Sequence, residues 1–241
     1  MHRFLLTPLD KITDQGVFIS SPDLLFQWTK VLKFRIGERV IVFDDSHNDY
    51  EVEIIELTPK AAAGKILKKT KNETEPRYKL TLAQGMLKNA DKFELLLQKG
   101  TELGVSCFVP LLTDRTEQKF LHKVERLERI LKEATEQSGR VQVPELTEIQ
   151  KFKDIFKNQE TLILVPHPDT QNTFKDIQAE IKSLPKELIV CIGPEGGFTD
   201  AEIAFAQESG AKIFNIGKRI LRAETAAIVL PALVNQWLES L

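Results

Sequence analysis

Two hydrophobic periods divide the chain. Over residues 1–70 apolar positions come in short runs that alternate with polar ones, the pattern of strands with one buried face. His2 to Thr7 and Gly16 to Ser20 read as strands and Pro22 to Lys33 as the one helical stretch. Arg39 to Phe43 and Glu51 to Ile55 flank the turn cluster Asp44-Asp45-Ser46-His47-Asn48, and Ala63 to Lys69 can add a further strand. A small barrel-like domain is expected there. Lys68 to Pro76 is polar, charged and ends on proline, the composition of a linker.

Over residues 77–241 short apolar strands alternate with helical patterns. Tyr78 to Ala83, Val105 to Leu111, Thr161 to Val165, Leu188 to Gly193 and Lys212 to Ile216 are the expected strands. Phe93, Leu96, Leu97, Gly100 and Leu103 recur at helical spacing, as do Val124, Leu127, Ile130, Leu131 and Ala134; Phe174 to Leu184 and Asp200 to Ser209 are two further helices. Such alternation predicts an α/β domain with a parallel sheet covered on both faces, whose ligands sit outside the carboxyl ends of the strands. That rule selects three loops: Pro166 to Asp169, Pro194 to Thr199 and Gly217 to Thr225.

Composition narrows the function classes. The 241 residues carry 33 Lys and Arg against 35 Asp and Glu, a net charge of −2. A polyanion must therefore be met by a local patch rather than by the field of the whole molecule. Cys107 and Cys191 lie far apart without a CxxC or His-x-His nearby, so neither a disulfide framework nor a metal is expected. Met1 to Asp10 lacks a signal-like apolar run, and Ala226 to Val234, the longest apolar run, is half of a membrane span, so a cytoplasmic protein without a membrane partner is expected.

Gly193-Pro194-Glu195-Gly196-Gly197-Phe198-Thr199 leaves an apolar strand, and its paired glycines can take positive φ and bring main-chain amides close to a ligand. Thr199 and Glu202 form a Thr-x-x-Glu capping box, so a helix starts directly behind the loop. The spacing fits neither GxGxxG, nor a P-loop, nor a GxSxG elbow. Gly217-Lys218-Arg219-Ile220-Leu221-Arg222-Ala223-Glu224-Thr225-Ala226 opens an apolar helix with an electropositive turn. Arg222 and Glu224 are close enough in sequence to pair with one another, which is the alternative to a role at a site.

Gly193 to Phe198 together with Ile220 to Ala226, at this separation, resembles the SPOUT methyltransferases. Three upstream stretches narrow the likeness: Lys92-Phe93-Glu94 with Gln98 to Val105, Pro110-Leu111 with Thr113-Asp114-Arg115, and Glu133-Ala134 with Glu136 to Arg140 and Val143-Pro144. In that order they resemble the RsmE family, which methylates N3 of a uridine in 16S ribosomal RNA of the small subunit. Lys33, Gln27, Asp45 to Asn48 and Ala223 depart from the usual family residues; all but Ala223 lie in the N-terminal domain.

The resemblance implies an N-terminal PUA-like RNA-binding β-barrel and a C-terminal parallel-sheet α/β SPOUT domain tied in a trefoil knot. It also implies a homodimer with S-adenosyl-L-methionine held by main-chain groups of Leu164, Val165, Pro166 and His167, of Ile192, Gly193, Gly196 and Gly197, and of Ile216, Gly217, Ile220, Leu221, Thr225 and Ala226. Attack by uridine N3 requires loss of its proton and spreads charge onto the flanking carbonyls. Arg222 is the first choice to stabilise that charge, and Glu195 or Glu224 to accept the proton or orient the base. Arg3, Lys33 and Arg35, with Lys88, Lys99, Arg115 and Arg140, are candidates for phosphate contacts to the RNA. Ile228, Val229, Leu230, Leu233, Trp237, Leu238 and Leu241 cover so much of the last helix that it is expected to be buried on two sides, by its own sheet and by a second subunit. Two other classes compete: a non-catalytic RNA-binding ribosome assembly factor on the same fold, and a small-molecule enzyme that uses the glycine loop for a nucleotide.

Overall fold

The computed structural model describes residues 1–158 and 160–241. The chain divides into two compact units, Met1–Glu75 with Thr135–Gln142, and Pro76–Ala134 with Val143–Leu241.

The first unit is a curled six-stranded sheet, an open half-barrel. Its strands β1 (Arg3–Leu5), β2 (Lys11–Thr13), β3 (Gly16–Ile19), β4 (Arg39–Phe43), β5 (Asn48–Leu57) and β6 (Ala62–Lys71) lie in the order β1-β4-β5-β6-β3-β2. Pairing is antiparallel except between β1 and β4. Inside the curl Phe4, Val17, Ile19, Val40, Val42, Val52 and Ile54 pack against Leu24, Leu25 and Trp28. Those last three come from α1 (Pro22–Phe26), which has proline in its first turn and continues as a π-helical turn over Gln27–Val31. The close approach of strands explains Gly64, where a Cβ would stand 2.1 Å from Val52 Cγ1.

Two expectations change here. Lys68 to Lys71 belong to β6, so the expected linker is largely strand. Glu75 accepts from Arg140 Nη2 at 2.7 Å and from the amides of Val141 and Gln142 at 3.0 Å. Residues 135–142 thereby join the first unit rather than the second.

The second unit has a seven-stranded parallel sheet. β7 (Lys79–Gly85), β8 (Cys107–Leu112), β11 (Leu162–Pro166), β12 (Glu187–Ile192), β13 (Lys212–Phe214) and the two-residue β10 (Gln150–Lys151) follow the order β10-β8-β7-β12-β11-β13, with β9 (Glu145–Leu146) paired to β8. Side chains alternate between two cores, as the strand period requires. Leu80, Leu82, Leu164, Leu188, Val190 and Ile192 face α2 (Ala90–Glu102), α3 (Val124–Ser138) and α6 (Ala223–Leu238). Ala83, Ile163, Val165 and Cys191 face the other way, toward Phe152, Phe198 and α5 (Asp200–Glu208). The helix expected over Phe174 to Leu184 is α4 (Phe174–Glu180).

α6 runs through Pro231 and packs on α2, β7 and β12. Leu230, Trp237 and Leu238 are buried within this unit, while Ile228, Val229 and Leu233 are half-buried and Leu241 is exposed. Much of the apolar circumference of α6 is thus already covered within its own chain. Among the described residues no helix is long and apolar enough to cross a membrane.

Candidate functional site

The strand order makes neighbours of β12, β11 and β13, so the loops after them converge at one end of the sheet. Together they line a cavity of about 600 Å³. Pro166, His167, Ile192, Gly193, Gly196, Gly197, Ile216, Gly217, Ile220, Leu221 and Ala226 all line it, as do Glu195, Arg222 and Glu224. Leu164 and Val165 do not, because both are fully buried on opposite faces of β11. Thr225 is exposed and also lies off the cavity wall.

The glycine loop is built from its neighbours. Gly85 ends β7 with no side chain, and a Cβ there would stand 2.5 Å from Pro194 N. Buried Gln84 donates from Nε2 to the Gly85 carbonyl at 2.8 Å and the Gly193 carbonyl at 3.1 Å. Within the loop a Cβ on Gly193 would meet Gly197 and Phe198 main chain at 3.0 to 3.2 Å. The left-handed residue is Gly197, at φ 67°; Gly196 instead faces the Arg115 stem, with a Cβ there 3.3 Å from it. Thr199 and Glu202 make the capping box, and buried Glu202 also accepts the Asp114 amide at 2.9 Å.

A second clamp holds the outer loops. Asn215 Nδ2 donates to the carbonyls of Thr170 and Asn172 at 2.8 and 3.0 Å, and its Oδ1 accepts the Gly217 amide at 3.2 Å. The His167 amide donates to the Phe214 carbonyl at 2.8 Å. Gln84, Gly85 and Asn215 carry no signal in the sequence alone, since each acts on a partner remote along the chain.

Charged groups at the cavity are partnered in ways that spacing did not indicate. Glu224 pairs with Lys92 of α2 at 2.8 Å rather than with Arg222. That hydrogen bond holds its carboxyl below the usual carboxylate range, against the opposing effect of burial. Arg222 is the N-cap residue of α6 and is exposed. Glu195 is exposed and its Oε1 accepts the Lys88 amide at 3.1 Å. Lys92 had marked a family motif without a role, and it too lines the cavity.

The phosphate candidates divide. Arg3 ion-pairs with Asp49 at 2.5 Å, donates to the Arg140 carbonyl and covers the Phe43 ring. Arg140 is 4% exposed and forks onto Glu75. Both are corrected to structural ion pairs of the first unit, because a buried guanidinium must be matched by a carboxylate. Arg115 donates to the Gly196 carbonyl at 2.7 Å and so braces the glycine loop. Lys33 and Arg35 are exposed, Lys88 pairs with Glu117 and Lys99 with Glu102, each at 2.8 Å. Burial pushes the Cys107 thiol up to about 11 and Cys191 higher still, so neither supplies a nucleophile. Among the described residues no three His, Cys, Asp or Glu side chains gather as a metal site would need.

Comparison with known proteins agrees with this geometry. Residues 73–235 match the family model of an RNA methyltransferase domain and residues 29–67 that of an RNA methyltransferase PUA domain. The chain is 33% identical to ribosomal RNA small subunit methyltransferase E of Mesomycoplasma hyopneumoniae, over 95% of this chain and 97% of that protein. To the enzyme of the same name from Synechocystis it is 32% identical, over 99% of this chain and 78% of that protein. The crystal structure of ribosomal RNA small subunit methyltransferase E from Neisseria gonorrhoeae bound to S-adenosyl methionine is 28% identical. It superposes with a TM-score of 0.85, covering 98% of this chain and 97% of that one. Matches of this length in both sequence and fold, around a cavity framed by the same three loops that the sequence singles out, place the chain in the ribosomal RNA small subunit methyltransferase E family.

Proposed function

We propose that this protein methylates N3 of a uridine in 16S ribosomal RNA, within the small ribosomal subunit, with S-adenosyl-L-methionine as donor. The observation that carries the reading is a cavity framed jointly by the loops after β11, β12 and β13. Its volume of about 600 Å³ lies inside the range of small-molecule sites, roughly 300 to 1,000 Å³. Main-chain groups of Gly193, Gly196, Gly197 and Gly217, with apolar walls from Ile192, Ile216, Leu221 and Ala226, suit a nucleoside recognised without charged side chains. When bound, the cofactor supplies a methyl group on a sulfonium, and its transfer to nitrogen is an in-line displacement.

The chain's own work is to hold the acceptor and take its proton. Arg222 at the start of α6 brings a cation to the cavity, where it stabilises charge on the uracil carbonyls. Of the carboxylates that line it, Glu195 and Glu224 are the candidates to take that proton. RNA is met by Lys33 and Arg35 of the first unit, and by Lys88 and Lys99, whose exposed ion pairs are weak enough to exchange for phosphate. Arg115 keeps the glycine loop in place beside that path.

We extend the reading to a cytoplasmic homodimer with a knotted C-terminal segment. A groove of about 650 Å³ between α4 and α6, lined by Phe174, Leu233 and Trp237, supports a subunit interface there. Titration calorimetry with S-adenosylmethionine tests the proposal. Saturable one-site binding, lost in Gly197→Val, is expected; no binding by the folded protein would leave the assembly-factor reading in its place.

A further inference from the structure

Three carboxylates line the cavity, Asp169, Glu195 and Glu224, and the two glutamates stand in different surroundings. Glu224 is in the first turn of α6 with 13% of its side chain exposed; Oε1 accepts from Lys92 Nζ at 2.8 Å, and Oε2 is closed off from solvent without a hydrogen-bond partner. Lys92 reaches it from the first turn of α2. At their far ends the same helices are joined by Asn235, which donates from Nδ2 to the Leu103 carbonyl and accepts from Tyr78 Oη at 2.7 Å. α2 and α6 therefore run in the same direction and are tied at both ends, with Lys92–Glu224 as the tie at the cavity. Arg222 is two residues from Glu224, and its guanidinium has no hydrogen bond or ion pair among the described residues, so its position rests on that first turn.

Glu195 differs on each count. It is exposed, its Oε1 has one main-chain partner, and its Oε2 has none among the described residues. It lines both the main cavity and an adjoining one of about 500 Å³, shared with Lys88, Arg115 and Thr116. Glu224 lines only the main one.

We infer that Lys92 and Glu224 are a positioning pair that fixes the start of α6, and with it Arg222, and that Glu195 receives the imide proton of the acceptor uracil. The inference rests on the methyl-transfer reading above. In the step, the N3–H bond breaks and its proton joins Glu195 Oε2. The electron pair left on N3 forms the bond to the methyl carbon, whose bond to the donor sulfur breaks with its pair remaining on sulfur. Protonating Glu224 instead would sacrifice a charge-assisted hydrogen bond and a carboxylate placed at the positive end of a helix. The charged groups around Glu195 are Lys88, Asp114, Arg115 and Glu117 on one side, and Lys92, Arg219, Arg222 and Glu224 across the cavity, with His167 and Asp169 beyond.

The test is single-turnover methylation of unmodified small ribosomal subunits by the full-length protein, over a range of pH, with calorimetry of S-adenosylmethionine on each variant. Glu195→Gln is expected to slow transfer about 10²- to 10⁴-fold with cofactor affinity retained. Its rate should then climb about tenfold per pH unit into the alkaline range, where the uracil sheds its own proton. Lys92→Met and Glu224→Gln are expected to lose roughly 10- to 100-fold without that recovery, and Lys92→Arg to regain most of the loss. A pH-recoverable loss in Glu224→Gln but not in Glu195→Gln would reverse the assignment and overturn the inference. So would Lys92→Met at full rate. A folded wild type that binds cofactor but transfers no methyl group would instead overturn the reading on which the inference rests.

Discussion

Gly85→Ala is the smallest change that should displace the glycine loop without touching it chemically. The new Cβ would stand 2.5 Å from both Pro194 N and Pro194 Cδ and 2.9 Å from Gly193 C. Ordinary contact begins near 3.4 Å, so Pro194 must retreat by the difference, 3.4 − 2.5 = 0.9 Å. β7 cannot yield in its place, because it is paired on both sides, to β12 and to β8, and its side chains are buried in both cores. Overpacking of this kind costs about 1 to 3 kcal/mol. If the loop relieves it by moving, recovering the binding geometry costs the same amount, which raises the cofactor Kd roughly 5- to 150-fold. A misplacement of about 1 Å also lowers the transfer rate on the order of 10²-fold. Calorimetry and a single-turnover assay on a variant with native circular dichroism measure both. Unchanged Kd and unchanged rate in that folded variant would refute the argument that β7 sets the loop.

Arg222→Ala is expected to cut turnover by about 2.7 to 4 kcal/mol of transition-state stabilisation while leaving cofactor affinity nearly intact, which a kcat and Kd comparison checks. Gly197→Val, which forces a branched side chain to φ 67°, should abolish cofactor binding by calorimetry while the first unit stays folded. Glu75→Ala removes the carboxylate onto which the buried Arg140 forks and should cost about 1.5 to 3 kcal/mol in denaturant unfolding. Burial raises the Glu75 carboxyl, but its bonds to Arg140 and to the amides of Gln142 and Val141 leave it below the usual range. Its stabilisation is therefore full above the ordinary carboxylate range and is lost as pH falls through the lowered value, so the pH dependence of unfolding below about pH 4.5 should flatten in the variant. Leu233→Glu, in the groove between α4 and α6, should turn a dimer into a monomer in sedimentation and lose activity with it; a fully active monomer would remove the dimer.

What the sequence disclosed depended on whether a residue's role was local. The glycine loop, its Thr199–Glu202 box and the apolar strands are local features, so the carboxyl-end rule selects from sequence alone the three loops that line the cavity. Leu164 and Val165 lie off the cavity wall because a strand residue beside a site can be wholly buried. Arg3 and Arg140 read as surface charges because their carboxylates, Asp49 and Glu75, lie 46 and 65 positions away. The same remoteness hid Lys92 as the partner of Glu224. Lys68 to Lys71 looked like linker because an exposed strand end and a linker are equally polar. The glycine that needs left-handed backbone is Gly197, whereas the spacing offered Gly196 on equal terms.

The central claim is base methylation of small-subunit ribosomal RNA, and mass mapping of the product tests it most directly. Small ribosomal subunits from a strain lacking this protein are incubated with purified protein and S-adenosylmethionine, and the digested 16S RNA is analysed nucleotide by nucleotide. The account predicts one added methyl group, on one uridine, at N3 of its base. A methyl group on a ribose hydroxyl, or none on any uridine while the protein binds cofactor, would contradict it.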